Sequence, residues 1–219
     1  MCGCDKGYES PLGMCEADTT LMDALRSRLG ERLFDSRFDH ENEHSIELQI
    51  MWIQHVFGKN DRGEYPKVFG ALVHDPSVNN GESYDGSGIG IQAFVDALRA
   101  SLAGLPGTTL VVSSADLSHV GPAFGDKTPL AGDDPEVAAA RDKVLQHDRE
   151  MLSLIAENKP HELVSSMAWQ QNPTRWCSLG NIAATLLTVQ PTKVDVLNYV
   201  AAMDQQGMTL VSSAAAIIK

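Results

Sequence analysis

The chain has 219 residues, enough for one large domain or two small ones that fold without disulfides or a structural metal. Hydrophobic residues make up 43% of it and the formal net charge is −12 at pH 7, with no Lys/Arg-rich run in compensation, which argues against a nucleic-acid partner. The apolar runs fall short of the roughly 18–20 residues that cross a bilayer, and no basic start leads into an apolar core, so a soluble, cytoplasmic protein without membrane association is expected.

Residues 1–17 carry Gly3, Gly7, Pro11 and Gly13 without periodicity and read as an irregular lead-in. Cys2, Cys4 and Cys15 lie there, and their spacing fits neither a disulfide scaffold nor a closed zinc site; reduced thiols are expected. Asp18 or Thr19 caps a helix that carries Leu21, Leu25 and Leu29. The polar segment Asp35–Asn42 should turn at the surface. Glu43–Phe57 predicts a second helix with Ile46, Ile50, Ile53 and Phe57 on one face, and Glu43 and Glu47 suit the positive end of its dipole. His44, partnered by Glu47, serves there as a cap or packing residue, or else lends a ligand to a metal.

Tyr65–Val73 reads as a short buried strand with Pro66 near its start, and Ser77–Ser87 as a loop or lid. Ile91–Ala103 returns to helical periodicity through Phe94, Val95, Leu98 and Leu102. Thr108–Gly121 follows: Thr109, Leu110, Val111 and Val112 predict a buried strand that delivers Asp116, Ser118 and His119 to a crevice at its carboxyl end. A long helix over Pro135–Glu157 opens on Pro135, and a shorter one over Pro160–Trp169 comes next. The loop Asn172–Gly180 launches a helix through Ile182–Val189, and Val194–Met203 and Thr209–Ile218 form two β segments around a turn, suited to a hairpin. Helices between strands imply a layered α/β fold with a mixed, partly parallel sheet, here taken as a single domain over residues 1–219.

Adjacent Asp116, Ser118 and His119 cannot assemble a hydrolase triad, whose members converge from separate elements, and the nucleophile-elbow pattern is missing. A local role fits better: Asp116 or a backbone group orients His119, which acts as acid, base or ligand. The alternative is a hydrogen-bonded core histidine beside turn-forming Asp116 and Ser118. Cys177 precedes a helix start, where the partial positive charge favours a thiolate, and Arg175 could add to that effect; a buried structural cysteine is the other reading. The remaining histidines read as surface or packing residues.

These motifs, in this order, resemble the Memo family, whose microbial members are called AmmeMemoRadiSam system protein B. Tyr8–Gly13 looks like the family's aromatic-E-T/S-P-L-G segment, Glu43–Glu47 matches E-H-S-I-E, and Ser113–Gly121 looks like S-S-D-x-x-H-x-G. Cys177 resembles the cysteine of a C-G motif, with Ser178 in place of Gly, and Ser212–Ala216 resembles a small-residue C-terminal strand.

The resemblance implies an α/β sandwich like that of class III extradiol dioxygenases, with metal-dependent redox or dioxygenase-like chemistry and iron(II) or copper as cofactor. In that frame His119 is the acid/base with Asp116 beside it, Cys177 is a metal ligand, and His44, Glu47 and Ser118 line the pocket. Family members carry two further histidines in P-H-A-G-Y and G-x-x-H motifs upstream of P-L-G. Neither motif occurs here, so a shortened Memo-like domain with weak metal binding and an exposed, self-associating sheet edge is expected.

Implied partners are a small molecule or peptide, AMMECR1-like and radical SAM proteins, and a second copy of the chain. Two other readings use the same crevice: a non-enzymatic module that binds a peptide or small ligand, and a thiol enzyme pairing Cys177 with His119.

Overall fold

The computed structural model describes residues 1–78, 86, 88–114 and 116–219. The Ser77–Ser87 segment expected as a loop or lid falls largely outside the described residues. The chain divides into two compact units: Met1–His74 with Gly81–Ser114, and Asp75–Asn80 with Ala115–Lys219.

The first unit contains β1 (Cys2–Gly3), β2 (Tyr8–Ser10), β3 (Gly13–Cys15), α1 (Thr19–Leu29), α2 (Ser45–Phe57), β4 (Ala71–Leu72) and α3 (Ile91–Leu102). The side chain of Asp18 accepts a hydrogen bond from the Leu21 amide, which makes it the cap of α1, as its residue type and position suggest. Leu21, Leu25, Leu33, Phe34, Phe94 and Ala97 form a core between α1 and α3. The antiparallel β2–β3 hairpin packs Tyr8 and Cys15 against Ile50 of α2.

Cys2, Cys4 and Cys15 are buried and in no disulfide, and burial pushes the Cys2 thiol up to about 11. The Asp35–Asn42 segment turns at the surface as expected but sends one residue inward. His40 is buried, with Nε2 3.2 Å from the Cys2 carbonyl and Nδ1 3.1 Å from the Tyr8 hydroxyl. A carbonyl only accepts, so Nε2 carries the proton and Tyr8 donates to Nδ1.

Two strand expectations are corrected here. Of Tyr65–Val73, only Ala71–Leu72 joins a ladder, antiparallel to β1, and Val68 makes an isolated parallel bridge to Ala17. Thr109–Val112 forms no strand: the segment is irregular, with Leu110 63% and Val112 46% exposed. A run of β-favouring residues becomes a strand only where another strand satisfies its amides and carbonyls, and no such partner lies along this run among the described residues.

The second unit holds β5 (His119–Val120), α4 (Pro135–Ala156), α5 (Pro160–Trp169), α6 (Leu179–Val189), β6 (Val194–Met203) and β7 (Leu210–Ile218). Asp134 caps α4 by accepting from the Glu136 amide, with Pro135 in the first turn where its missing donor costs nothing. The strands form an antiparallel sheet in the order β5-β7-β6, with β6 and β7 paired from Val194↔Ile218 to Met203↔Leu210 as the expected hairpin. Asp204 fastens the hairpin turn: its carboxylate accepts from the Thr209 hydroxyl and the amides of Gln206, Met208 and Thr209, which hold it at about 2. Leu117, Met151, Leu152, Ile155, Leu163, Met167, Trp176, Leu179 and Leu186 build the core beneath the sheet. The named strand pairs of both units are antiparallel, which gives a mixed α/β composition with small antiparallel sheets.

Candidate metal centre

Sheet pairing and a loop bring three donor side chains together in the second unit. Leu117 donates its amide to the Ser212 carbonyl at 2.7 Å, and Ser212 donates to the Ser118 carbonyl at 3.0 Å. The segment before β5 is thereby fixed along the edge of β7. On its other side, the His119 amide donates to the Thr174 carbonyl at 2.7 Å. That bond docks the Asn172–Cys177 loop, which runs through Ser178 into α6.

At the meeting point, His119 Nε2 lies 3.3 Å from Asp116 Oδ2, and Cys177 Sγ donates to Asp116 Oδ1 at 3.0 Å. One donor atom from each of the three residues lies within 4.8 Å of the others. The His119 side chain is 19% exposed, Asp116 46%, and Cys177 is open to solvent. The ring of Phe124 stands edge-on to the His119 imidazole at 5.3 Å and walls one side.

The proton on His119 can be placed. Nδ1 is 3.0 Å from the Leu117 carbonyl and 3.2 Å from the Arg175 carbonyl. Carbonyls only accept, so Nδ1 carries a proton, and Nε2 faces the Asp116 carboxylate, presenting a lone pair in the neutral ring and an N–H in the protonated one. A nitrogen, a carboxylate and a sulfur that converge this closely can share a cation, whether a proton or a metal ion. A backbone carbonyl on the remote ring nitrogen is also the usual outer support of a metal-ligating histidine.

One of the separations already suits a metal. Around a tetrahedral ion with bonds of roughly 2.0–2.3 Å, neighbouring ligand atoms stand about 3.3–3.8 Å apart. The His119–Asp116 gap already matches, and the Cys177–Asp116 gap opens slightly once the thiol proton leaves. Mixed nitrogen, oxygen and sulfur donors favour borderline transition metals over magnesium or calcium.

Behind these residues lies a group that sequence reasoning missed. Asp148 of α4 has 0% exposure and accepts from the Ser118 hydroxyl (2.5 Å), Trp176 Nε1 (2.8 Å), the Ser212 hydroxyl (2.5 Å) and the Tyr199 hydroxyl (2.7 Å). These donors, with His147 beside it, outweigh the cost of burial and hold its carboxyl at about 2. Burial and the Asp148 charge drive the Tyr199 phenol upward. Ser118, adjacent to His119, and Trp176, adjacent to Cys177, thus share one buried carboxylate. A signal was available: Asp148 stands four residues from both Val144 and Leu152, a charge within the apolar stripe of α4.

The other sequence candidates are placed as follows. Ser118 has 0% exposure and faces Asp148, away from solvent, so it is no nucleophile. Arg175 directs its guanidinium to the His119 carbonyl (Nε to O, 2.8 Å) and to Asp126. His44 and Glu47 belong to the first unit, at the start of α2. There the partner of the helix start is Glu43 and not Glu47: Glu43 Oε1 accepts from the amides of His44 and Ser45 at 2.8 Å, and the Ser45 bond chiefly holds the Glu43 carboxyl below its ordinary range.

Residues 3–218 match the family model described as Memo-like protein. The chain belongs to the Memo-like family. Among curated relatives, a MEMO1 family protein of Thermus thermophilus is 30% identical over 192 residues, which cover 87% of this chain and 49% of the relative. One from Methanopyrus kandleri is 25% identical over 206 residues (93% and 60%), and one from Aquifex aeolicus 28% over 166 residues (76% and 37%). The Memo-like chain therefore spans about half the length of the curated relatives it matches. Among its described residues no helix is long and apolar enough to cross a membrane.

Proposed function

We propose that Asp116, His119 and Cys177 hold a single metal ion, iron(II) or copper, and that this Memo-like chain performs metal-dependent redox or dioxygenase-like chemistry in the cytoplasm. One observation carries the reading. The His119 Nδ1–H is directed to two carbonyls, and Nε2 faces a carboxylate that already holds the Cys177 thiol.

Three protein ligands are the number that catalytic metal sites use, with a further position open to substrate or water. A bound metal would supply Lewis acidity and, for iron or copper, electron transfer. The Leu117 and Arg175 carbonyls orient His119 through Nδ1, and Asp116 Oδ1 accepts from the Cys177 thiol. Phe124 limits water on the histidine side. Where Nε2 is not engaged by the ion, it is the one atom of the ring free to take a proton, the acid/base role that the family resemblance gives His119. The same resemblance supports a dioxygenase-like sandwich with a partly parallel sheet for the complete family architecture, and AMMECR1-like and radical SAM proteins as partners.

Anaerobic titration of the purified chain with iron(II) and copper, followed by calorimetry and absorbance, tests the proposal. One-to-one binding that is lost in Cys177→Ser and in His119→Ala supports it. Binding that is undiminished in both variants overturns it.

A further inference from the structure

The segments that carry the three donors meet at one residue besides the donors themselves. Asp116 and His119 lie on the segment leading into β5, and Cys177 lies 58 positions after His119 in the chain. Something must hold the two segments in register. Arg175 makes two contacts between them and a third to the loop that follows β5. Its backbone carbonyl accepts from His119 Nδ1 at 3.2 Å, its Nε donates to the His119 carbonyl at 2.8 Å, and its Nη2 pairs with Asp126 Oδ2. Asp126 Oδ2 in turn accepts from the Gly121 amide at 2.7 Å, two residues beyond His119. The guanidinium thus closes a loop from Cys177's segment, through Asp126, back to the β5 backbone.

The backbone at Arg175 is also specialised. Its φ is +58°, and Gln171 and Asn172 in the same loop have φ of +60° and +46°. Left-handed conformations are costly for residues other than glycine and persist only where surrounding contacts enforce them. Asn172 supplies part of that enforcement, accepting from the Trp176 amide at 2.8 Å and donating to the Trp176 carbonyl at 3.0 Å. The amides of Gln171, Asn172 and Arg175 donate to the carbonyls of Ala168, Met167 and Asn172, and the loop so held keeps the Arg175 carbonyl against the imidazole.

We propose that Arg175, through its paired Asp126, is the positioning residue of the metal centre: it docks the Cys177 loop on the β5 segment and fixes the ring of His119 so that all three donors face one point. The proposal rests on the metal reading above and adds to it the device that sets ligand geometry. The guanidinium fork is required, because one planar group serves two acceptors in different directions, which an ammonium on a flexible stem does not reproduce.

The test uses the full chain with Arg175→Gly and Asp126→Asn, and Arg175→Lys as the charge-conserving comparison. Glycine accepts the left-handed backbone, so Arg175→Gly removes the clasp without adding strain. An ion pair this exposed adds little to stability, so the unfolding midpoint should barely move. Two readouts separate positioning from stability. Cobalt(II) titration should show affinity reduced roughly 10- to 100-fold in Arg175→Gly and Asp126→Asn, the usual effect of removing an outer support, with altered thiolate-to-cobalt absorption, and Arg175→Lys should recover only part of it. In the metal-free protein, hydrogen exchange at the His119 amide, which bonds across to Thr174, should quicken about tenfold or more in the first two variants. Unaltered cobalt affinity and spectrum in both variants, or unaltered exchange at His119, overturns the proposal. If the unsubstituted protein binds no cobalt, iron(II) or copper, the metal reading falls by itself and the exchange rates alone decide the clasp.

Discussion

Trp176 donates its indole N–H to the buried carboxylate of Asp148 at 2.8 Å, one residue before Cys177. The same carboxylate accepts from Ser118, one residue before His119. Two donor-bearing segments far apart in the chain are therefore anchored to one group on α4. Arg175 and Asp126 tie the same segments from the solvent side. The centre is supported from beneath by a buried charge and from above by a half-buried ion pair, and these differ in energetic weight.

Replacing Asp148 by Ala leaves the Ser118, Ser212, Trp176 and Tyr199 donors without their shared acceptor in a buried place. Each unsatisfied group costs roughly 1–3 kcal/mol, partly relieved by relaxation, so a loss of about 3 kcal/mol or more is expected. Asp148→Asn keeps one acceptor oxygen and should lose less. Urea denaturation at neutral pH measures both.

Acid should weaken the protein through the same residue. The folded carboxyl of Asp148 is held at about 2, below the ordinary value of 3.8, so its ionised form favours the folded state. That contribution is fully present above about pH 4 and is lost as the pH falls towards about 2, with a size on the order of 2 kcal/mol. Stability curves between pH 5 and 2 should be flatter for Asp148→Asn than for the unsubstituted chain; equal slopes would remove Asp148 from the account.

Gly121 joins β5 to the loop that carries Asp126, at a φ of +115°. A methyl group there would stand 2.4 Å from the Met208 carbonyl oxygen, so Gly121→Ala is both strained and obstructed by backbone. A loss of about 2 kcal/mol or more is expected. Calorimetric unfolding provides the measurement, and a melting temperature unchanged from the parent would contradict it.

Glu43 caps α2 from outside the helix by accepting from the amides of His44 and Ser45. Glu43→Ala should cost about 1 kcal/mol of stability, the usual value of a lost helix cap. The loss should shrink in acid, because the folded carboxyl lies below its ordinary range and its advantage exists only above that range. Denaturation at pH 7 and pH 3 distinguishes the two conditions.

The sequence by itself determined the elements whose signals are local. The Asp18 cap with Leu21 and Leu25 is enough for α1, Pro135 and its apolar stripe for α4, and two β runs around Asp204 and Gly207 for the β6–β7 hairpin. The triad residues were visible too, because Asp116, His119 and Cys177 are chemically distinctive at the ends of elements. Only the tertiary structure decided the rest. Thr109–Val112 has the composition of a strand, but a strand exists by pairing, and pairing is a property of two segments. Asp148 looks like an ordinary helical acid until Ser118, Trp176, Tyr199 and Ser212 arrive from four separate places to satisfy it. The His119 proton is fixed by carbonyls of Leu117 and Arg175, the second 56 positions away. Periodicity and capping report what a residue does for its own turn of chain; hydrogen bonds across the fold depend on which distant groups are brought within 3 Å, and folding alone supplies that.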